Sequence, residues 1–150
     1  MKLYTGLKKT VEIVLANDYV TAAVATLVIR NRQLLLGKRF NKESFEGWQC
    51  PGGYLYKGEE IEPAASRHCL QKAGIQIEQL RSASYSNNVF SEYHHTVTLY
   101  IVAEAFQVQD RKKFESEKIQ WSWFDFDRLP EPLFLPLQNV LKAEWFCSLS

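Results

Sequence analysis

The stretch that decides the fold runs from Pro51 to Ile75, with the sequence PGGYLYKGEEIEPAASRHCLQKAGI. A Pro-Gly-Gly turn leads through an acidic segment to Pro63, which suits a first helical turn because its missing N–H would have no partner there. The spacing predicts a helix from about Pro63 to Ala73, and Gly74 is placed to end it in the left-handed conformation. Residues repeating every fourth position along this helix are predicted to face a core: Ala65, Cys69 and Ala73.

A second face of the same helix carries His68, Gln71 and Lys72, which lie at positions i, i+3 and i+4. Their formal charges are 0, 0 and +1. Any site that this face forms is therefore predicted to lack carboxylates.

The order of residues in this stretch resembles the Nudix box: Gly, five residues, Glu, seven residues, then Arg-Glu-apolar-x-Glu-Glu-x-Gly-apolar. In the box helix, the three glutamate positions hold His68, Gln71 and Lys72 instead, so the frame of the motif is present without its metal-binding carboxylates. The positions that fit the motif are Gly53, Glu59, Arg67, Cys69, Gly74 and Ile75.

The resemblance extends over most of the chain from Val20 onward. It includes Leu34–Arg39 (LLLGKR), Gly47–Gly53 (GWQCPGG), Ser86–Ala105 and Glu115–Lys142. These segments are similar to MutT-like, CTP-hydrolysing nucleotide pyrophosphohydrolases. The resemblance implies an α+β protein with the Nudix fold, an α/β/α sandwich around a mixed β-sheet. We expect a single Nudix domain over 1–150, with residues 1–19 as an N-terminal extension.

Hydrophobic periodicity gives the other elements. We predict strands at 20–29, 33–36, 75–86, 95–106 and 120–124, and a closing helix at 137–147. Polar or proline-rich connections are predicted at 40–47, 87–94, 107–118 and 129–136.

Composition narrows the classes of partner. The chain has 150 residues, 18 basic and 17 acidic, for a net charge of +1, so no bulk field favours nucleic acid or a membrane surface. No apolar run reaches the length of a membrane span, and the N-terminus is interpreted as mature sequence. The three cysteines form an odd set without CxxC spacing, which indicates free thiols and a cytoplasmic location.

The resemblance implies hydrolysis of a diphosphate linkage by water, with Mg²⁺ or Mn²⁺ held by the box glutamates. Here those positions change from −3 to +1, and a Lys72 ammonium 4 Å from Mg²⁺ would be repelled by about 8 kcal/mol at an effective dielectric of 20. We therefore expect no tightly bound metal. The remaining oxygen donors are Glu59, Glu117 and the Gly53 carbonyl, which would hold an ion weakly when a substrate supplies phosphates.

The candidate catalytic residues are Glu59, Arg67 and His68. The resemblance implies an ion pair between Glu59 and Arg67, whereas His68 is either a general base or a polar cleft residue. Lys72 either binds a diphosphate directly or is a solvated helix lysine. The other candidate substrate- or phosphate-binding residues are Arg39, Gly53 and Tyr54, and the aromatic candidates for stacking on a base are Tyr54, Tyr56, Phe90 and Tyr93.

Three functions are compatible with this pattern. One is a module that binds a nucleotide or nucleoside diphosphate derivative while its metal-dependent hydrolysis is weak or lost. Another is an active hydrolase on a nucleotide or nucleotide-sugar, using Glu59, Glu117 or a histidine. The third is an interaction protein with a vestigial cleft. The sequence is also compatible with a homodimer.

Overall fold

The computed structural model describes residues 19–108 and 119–142. The predictions for residues 1–18, 109–118 and 143–150, including the role of Glu117, lie outside these ranges. The described strands are β1 (Thr21–Arg30), β2 (Gln33–Asn41), β3 (Ser44–Gln49), β4 (Gly52–Tyr54), β5 (Ile75–Ser91), β6 (His94–Val108) and β7 (Trp121–Asp125). The described helices are α1 (Ile61–Ala73) and α2 (Leu135–Leu141).

The strands form one mixed sheet in the order β3-β2-β1-β6-β5. β1 and β6 are parallel, whereas β1 is antiparallel to both β2 and β4. β1 pairs with β2 next to the tight turn at Asn31 and Arg32, whose φ angles of 50° and 63° suit a two-residue hairpin loop. Farther from the turn, β1 pairs with β4. On its other side, β2 pairs with β7.

The two helices cover opposite faces of the sheet. Along β1, Ala25 and Leu27 share a core cluster with α2, whereas Val24 and Val28 belong to clusters built with α1. Successive strand residues point to opposite faces, so this alternation places the sheet between α1 and α2. The predicted α/β/α sandwich of the α+β class is confirmed.

The first helix matches its prediction closely. α1 begins at Ile61, two residues before the predicted start, and Pro63 falls within its first turn. Gly74 ends the helix with a φ of 64°, and its N–H points to the carbonyls of Cys69 and Leu70. The predicted core-facing stripe is confirmed, because all three of its residues are buried: Ala65, Cys69 and Ala73.

Two predicted loops are wrong. Residues 40–47 form the end of β2, a turn at Lys42 and the start of β3, with the Phe40 and Phe45 rings 5.5 Å apart across the hairpin. Residues 87–94 continue β5 as far as Ser91 and pair with the start of β6. In both places cross-strand pairing outweighs the polar composition that indicated a loop.

The predicted Pro-Gly-Gly turn is instead partly strand, because Gly52 and Gly53 belong to β4. A Cβ on Gly52 would lie 2.5 Å from the Val24 carbonyl oxygen, so only glycine allows this close approach to β1. The closing helix begins at Leu135 rather than Leu137. No helix within the described residues is long and apolar enough to cross a membrane.

Candidate functional site

A cavity of about 400 Å³ opens beside β4 and α1 and extends over the face of the sheet that α2 covers. One end of the cavity, called the helix end here, is formed by the stretch from Gly52 to Lys72 that resembles the Nudix box. The other, the sheet end, is formed by β5, β6 and the segment that leads into α2. The box residues that line the cavity are Gly52, Gly53, Tyr54, Tyr56, Arg67, His68, Gln71 and Lys72.

The predicted ion pair between Arg67 and Glu59 is present and bidentate. Arg67 Nε donates to Glu59 Oε2 at 2.7 Å, and Arg67 Nη2 donates to Glu59 Oε1 at 2.9 Å. The Tyr56 backbone N–H also donates to Glu59 Oε1, at 3.1 Å. These hydrogen bonds lower the pKa of Glu59 to about 2, and the one from Arg67 has the largest effect. Both carboxylate oxygens are thus committed to holding the loop against the helix.

Arg67 is held from several directions. Its guanidinium carbon lies 4.0 Å from the centre of the Tyr56 ring, and Nη2 donates to the Tyr54 carbonyl at 3.3 Å. Nη1 lies 3.5 Å from the Gln71 side-chain oxygen. Its contacts make Arg67 the residue that joins the loop after β4 to α1.

His68 is buried, with 4% of its surface exposed. Its Nε2 lies 3.0 Å from the Tyr54 carbonyl, which can only accept, and 3.3 Å from Arg67 Nη2, which can only donate. Nδ1 has no hydrogen-bond partner among the described residues. Burial, followed by the neighbouring Lys72 and Arg67 charges, lowers the pKa of His68. The site therefore favours a neutral imidazole.

Burial of His68 predicts a pH dependence of stability. The lowered pKa means that the unfolded chain takes up a proton below about pH 6.5 while the folded chain does not, so stability is lost as pH falls from there. The slope for one such group is at most about 1.4 kcal/mol per pH unit. We expect the free energy of unfolding to drop less between pH 7 and pH 5.5 in His68→Gln than in the wild type, measured by urea denaturation.

The matched control for that measurement is His95→Gln, because His95 is only half-buried and its Nε2 contacts Asn87 Oδ1 at 2.5 Å outside the cavity. A pH dependence in His68→Gln equal to that of the wild type would contradict the role assigned to the buried ring.

Lys72 folds over the paired glycines of β4. Its Nζ donates to the Gly52 carbonyl, and a Cβ on Gly53 would lie 2.8 Å from Nζ and 2.9 Å from His68 Nδ1. Glycine at position 53 therefore allows both side chains to approach the backbone. The result is an ammonium group placed over the backbone of the box loop.

At the sheet end, four side chains form a column along the cavity. The His94 and Phe90 rings are stacked with centroids 4.5 Å apart, and the Phe90 and Phe134 rings are stacked at 5.5 Å. The Arg39 guanidinium carbon lies 4.4 Å from the Phe134 centroid. Arg39 is also held by Gln49 Oε1 at 3.2 Å and Glu46 Oε1 at 3.3 Å. This column gives a flat ligand an aromatic wall.

The charges around the cavity have one sign. Its lining includes three basic side chains, Arg39, Arg67 and Lys72, and no aspartate or glutamate among the described residues. Glu59 neutralises Arg67 from outside the lining. Glu46, also outside the lining, pairs with Arg39. Because the described lining has basic side chains and no carboxylate, it favours an anionic ligand over a cation.

The donors that the described residues offer do not fit a resident Mg²⁺ or Mn²⁺. Among the described residues, no group of three or more His, Cys, Asp or Glu side chains is arranged to hold a metal ion. The Glu59 carboxylate is ion-paired with Arg67, and the Gly52 carbonyl already accepts a hydrogen bond from the Lys72 ammonium. Hard divalent cations require several oxygen donors with negative charge, which this face does not offer.

The structure brings most of the predicted site residues to this one cavity. Arg39, Gly53, Tyr54, Arg67, His68 and Lys72 line it, as do Tyr56 and Phe90, whereas Glu59 supports it from behind. Tyr93 does not line it. His94, one of the histidines considered for an active hydrolase, also lines the cavity. Sequence reasoning missed the residues that follow it on the same face of β6, Thr96, Thr98 and Tyr100, together with Phe134. Their alternate spacing along a strand is the signal that could have found the row.

Comparison with known proteins places this geometry in a family. The model of the NUDIX domain matches residues 20–145. An oxidized purine nucleoside triphosphate hydrolase of Danio rerio is 27% identical over 104 residues, which is 69% of this chain and 65% of that protein. An RNA pyrophosphohydrolase of Wolbachia pipientis subsp. Culex pipiens (strain wPip) is 40% identical over 50 residues, 32% of this chain and 30% of that protein. The chain thus spans under two thirds of both relatives.

Solved structures share the fold. A MutT NUDIX hydrolase from Burkholderia pseudomallei superposes with a TM-score of 0.68 at 22% identity, covering 84% of this chain and 98% of that one. A NUDIX hydrolase from Nitrosomonas europaea gives a TM-score of 0.67 at 18% identity, covering 87% and 90%. Since the family model matches most of its length, the chain belongs to the Nudix hydrolase family.

Proposed function

We propose that this protein binds a nucleotide or nucleoside diphosphate derivative through its phosphates without a resident divalent metal, and that it hydrolyses the diphosphate weakly or not at all. The observation that carries the proposal is the Lys72 ammonium on the Gly52 carbonyl, in a cavity whose described lining has cations and no carboxylate. Nudix hydrolases typically use divalent metals such as Mg²⁺ or Mn²⁺. Here a side chain provides positive charge in their place.

Phosphate recognition would rest on two cations of different kind. The Lys72 ammonium is a compact charge that can donate to phosphate oxygens in several directions. The Arg39 guanidinium is planar, and Gln49 and Phe134 fix its orientation. Gly53 and Tyr54 would contribute backbone between them, and the aromatic column of His94, Phe90 and Phe134 would contact the base.

Calorimetric titration of the wild type with pyrophosphate and a nucleoside diphosphate, in the presence of EDTA, tests the proposal. Binding is expected without metal. Lys72→Gln should weaken it roughly tenfold, since a hydrogen bond to a charged group contributes about 1.5 kcal/mol or more.

Lys57→Gln is the matched control, because Lys57 is exposed and close in sequence but does not line the cavity. Binding that requires Mg²⁺, or equal affinities of the wild type and Lys72→Gln, would overturn the metal-independent site.

The second candidate is an active hydrolase, with His68 as the base. It is favoured by a neutral imidazole at the cavity wall whose Nδ1 has no hydrogen-bond partner among the described residues. It predicts release of phosphate or pyrophosphate from a nucleotide or nucleotide-sugar panel with Mg²⁺ or Mn²⁺, and loss of that release in His68→Gln. No turnover above a protein-free blank would remove it.

A cytoplasmic location is part of the proposal. Cys50 and Cys69 are buried free thiols, and burial raises the pKa of Cys69 to about 12. Unpaired, unreactive thiols are typical of a reducing compartment.

A further inference from the structure

A chain of polar side chains, half-buried at its α2 end and buried from there on, runs from α2 to the wall of the cavity. Its members are Asn139 on α2, Asn88 on β5, and Thr96 and Thr98 on β6. Asn88 is fully buried, and 5% of Thr96 and 4% of Thr98 is exposed. Buried polar groups are costly unless each donor and acceptor is paired, so the direction of every hydrogen bond in this chain matters.

Two backbone carbonyls fix that direction. Asn139 Nδ2 lies 3.0 Å from the Asn87 carbonyl, which can only accept, so the amide nitrogen is on that side. The same nitrogen donates to Asn88 Oδ1 at 3.1 Å.

Asn88 Nδ2 therefore faces the opposite way. It lies 3.3 Å from the Ser86 carbonyl, another obligate acceptor, and donates to Thr96 Oγ1 at 3.0 Å and Thr98 Oγ1 at 3.1 Å.

The Asn88 amide nitrogen has two hydrogens to share among these three acceptors and cannot itself accept, so each threonine hydroxyl proton must point elsewhere. Neither hydroxyl donates to an acceptor among the described residues, although both side chains line the cavity. A buried hydroxyl proton without an acceptor is unusual in a folded protein. The acceptor is therefore expected from a ligand.

We propose that Thr96 and Thr98 form a pair of donors that selects a nucleobase by a carbonyl oxygen on its inserted edge. This inference rests on the proposed nucleotide-binding function and adds its base class, an oxo-substituted ring. A carbonyl oxygen has two lone pairs and can accept from both hydroxyls, whereas a ring nitrogen offers one and an amino group offers none. Asn88 is a positioning residue, since it acts by orienting the two hydroxyls.

Inosine diphosphate and adenosine diphosphate are the probes, because they differ in having a carbonyl or an amino group on the same ring carbon. In calorimetric titrations with EDTA, the wild type should bind inosine diphosphate about tenfold or more tightly than adenosine diphosphate. Thr98→Val and Thr96→Val should each weaken inosine diphosphate roughly three- to tenfold and leave adenosine diphosphate and pyrophosphate unchanged.

Thr98→Ser, which keeps the hydroxyl, should retain the preference. Thr26→Val is the matched control, since Thr26 is fully buried on β1 but does not line the cavity.

Equal affinities for the two nucleotides in the wild type, together with normal pyrophosphate binding, would overturn this inference and leave the proposed function standing. Equal losses of inosine and adenosine nucleotide in Thr98→Val, with circular dichroism like that of the wild type, would also overturn it. Failure to bind pyrophosphate and both nucleotides would overturn the proposed function and the inference together.

Discussion

Replacing His68, Gln71 and Lys72 together with glutamate is expected to give a chain that binds Mn²⁺ and Mg²⁺ in the absence of nucleotide, which the wild type should not do. The formal charge of the three positions changes from +1 to −3, a swing of four charges on one helix face. The repulsion of about 8 kcal/mol estimated for an ammonium 4 Å from Mg²⁺ is removed, and three carboxylates are added.

The geometry favours this result, since the positions lie together. The cavity is lined by all three side chains, His68, Gln71 and Lys72. Replacing Lys72 would also free the Gly52 carbonyl from its present hydrogen bond, so that it could bind a metal ion. Mn²⁺ titration followed by electron paramagnetic resonance measures the free ion directly. We expect at least a tenfold rise in affinity, since a gain of about 1.4 kcal/mol suffices for that.

The matched control is the variant with glutamine at all three positions, His68→Gln with Lys72→Gln, because glutamine has the shape of glutamate without its charge. A triple-glutamate variant that folds normally and yet binds no more Mn²⁺ than the all-glutamine variant would contradict the electrostatic explanation.

Gly47→Ala is expected to destabilise the fold by about 3 kcal/mol or more. Gly47 has a φ of 122°, which side chains rarely adopt, and its Cβ would lie 2.8 Å from the Phe134 nitrogen and 2.9 Å from the Pro132 oxygen. These are backbone atoms that cannot rotate away, so strain of about 1–3 kcal/mol adds to a steric cost of similar size. For a domain of this size the midpoint of thermal unfolding should fall by roughly 6–12 °C.

Gly58→Ala separates the two contributions. Gly58 also has a positive φ, 81°, but its Cβ would meet nothing within 4 Å. Its replacement should therefore cost only the backbone term of about 1–2 kcal/mol.

Gly47→Ala should also weaken ligand binding, because Gly47 is next to the segment that places Phe134 in the cavity wall. Trp48 N–H donates to the Pro132 carbonyl at 2.9 Å, and Phe134 N–H donates to the Trp48 carbonyl at 2.8 Å, so Gly47 lies where β3 holds the Phe134 segment. We expect weaker nucleotide binding in Gly47→Ala than in Gly58→Ala. Equal thermal midpoints in the two variants would show that the close backbone contact has no energetic effect.

Local signals were enough to predict α1 and its end. The four-residue repeat, Pro63 in the first turn and Gly74 after the last turn are short-range features, and short-range features are what a sequence displays directly. The ion pair between Glu59 and Arg67, eight residues apart, came instead from the family resemblance, and the structure contains it.

The sheet end of the site depends on contacts that the sequence does not display. Thr98 lies on the same face of β6 as Tyr100 and Val102, and nothing local in the sequence shows that α2 covers that face. The hydrogen bond that orients Asn88 comes from Asn139, 51 residues away. Likewise, Phe134 reaches the cavity only because its segment pairs with Trp48.

The lysine over the Gly52 carbonyl has a consequence for conditions in a cell. A cation carried on a side chain cannot be stripped by a chelator, and its local concentration does not follow that of dissolved magnesium. Under the proposed function, dissolved magnesium would compete with Lys72 for the same phosphate oxygens. Occupancy of the cavity would accordingly rise as magnesium falls, so that the protein would respond to the uncomplexed fraction of its nucleotide.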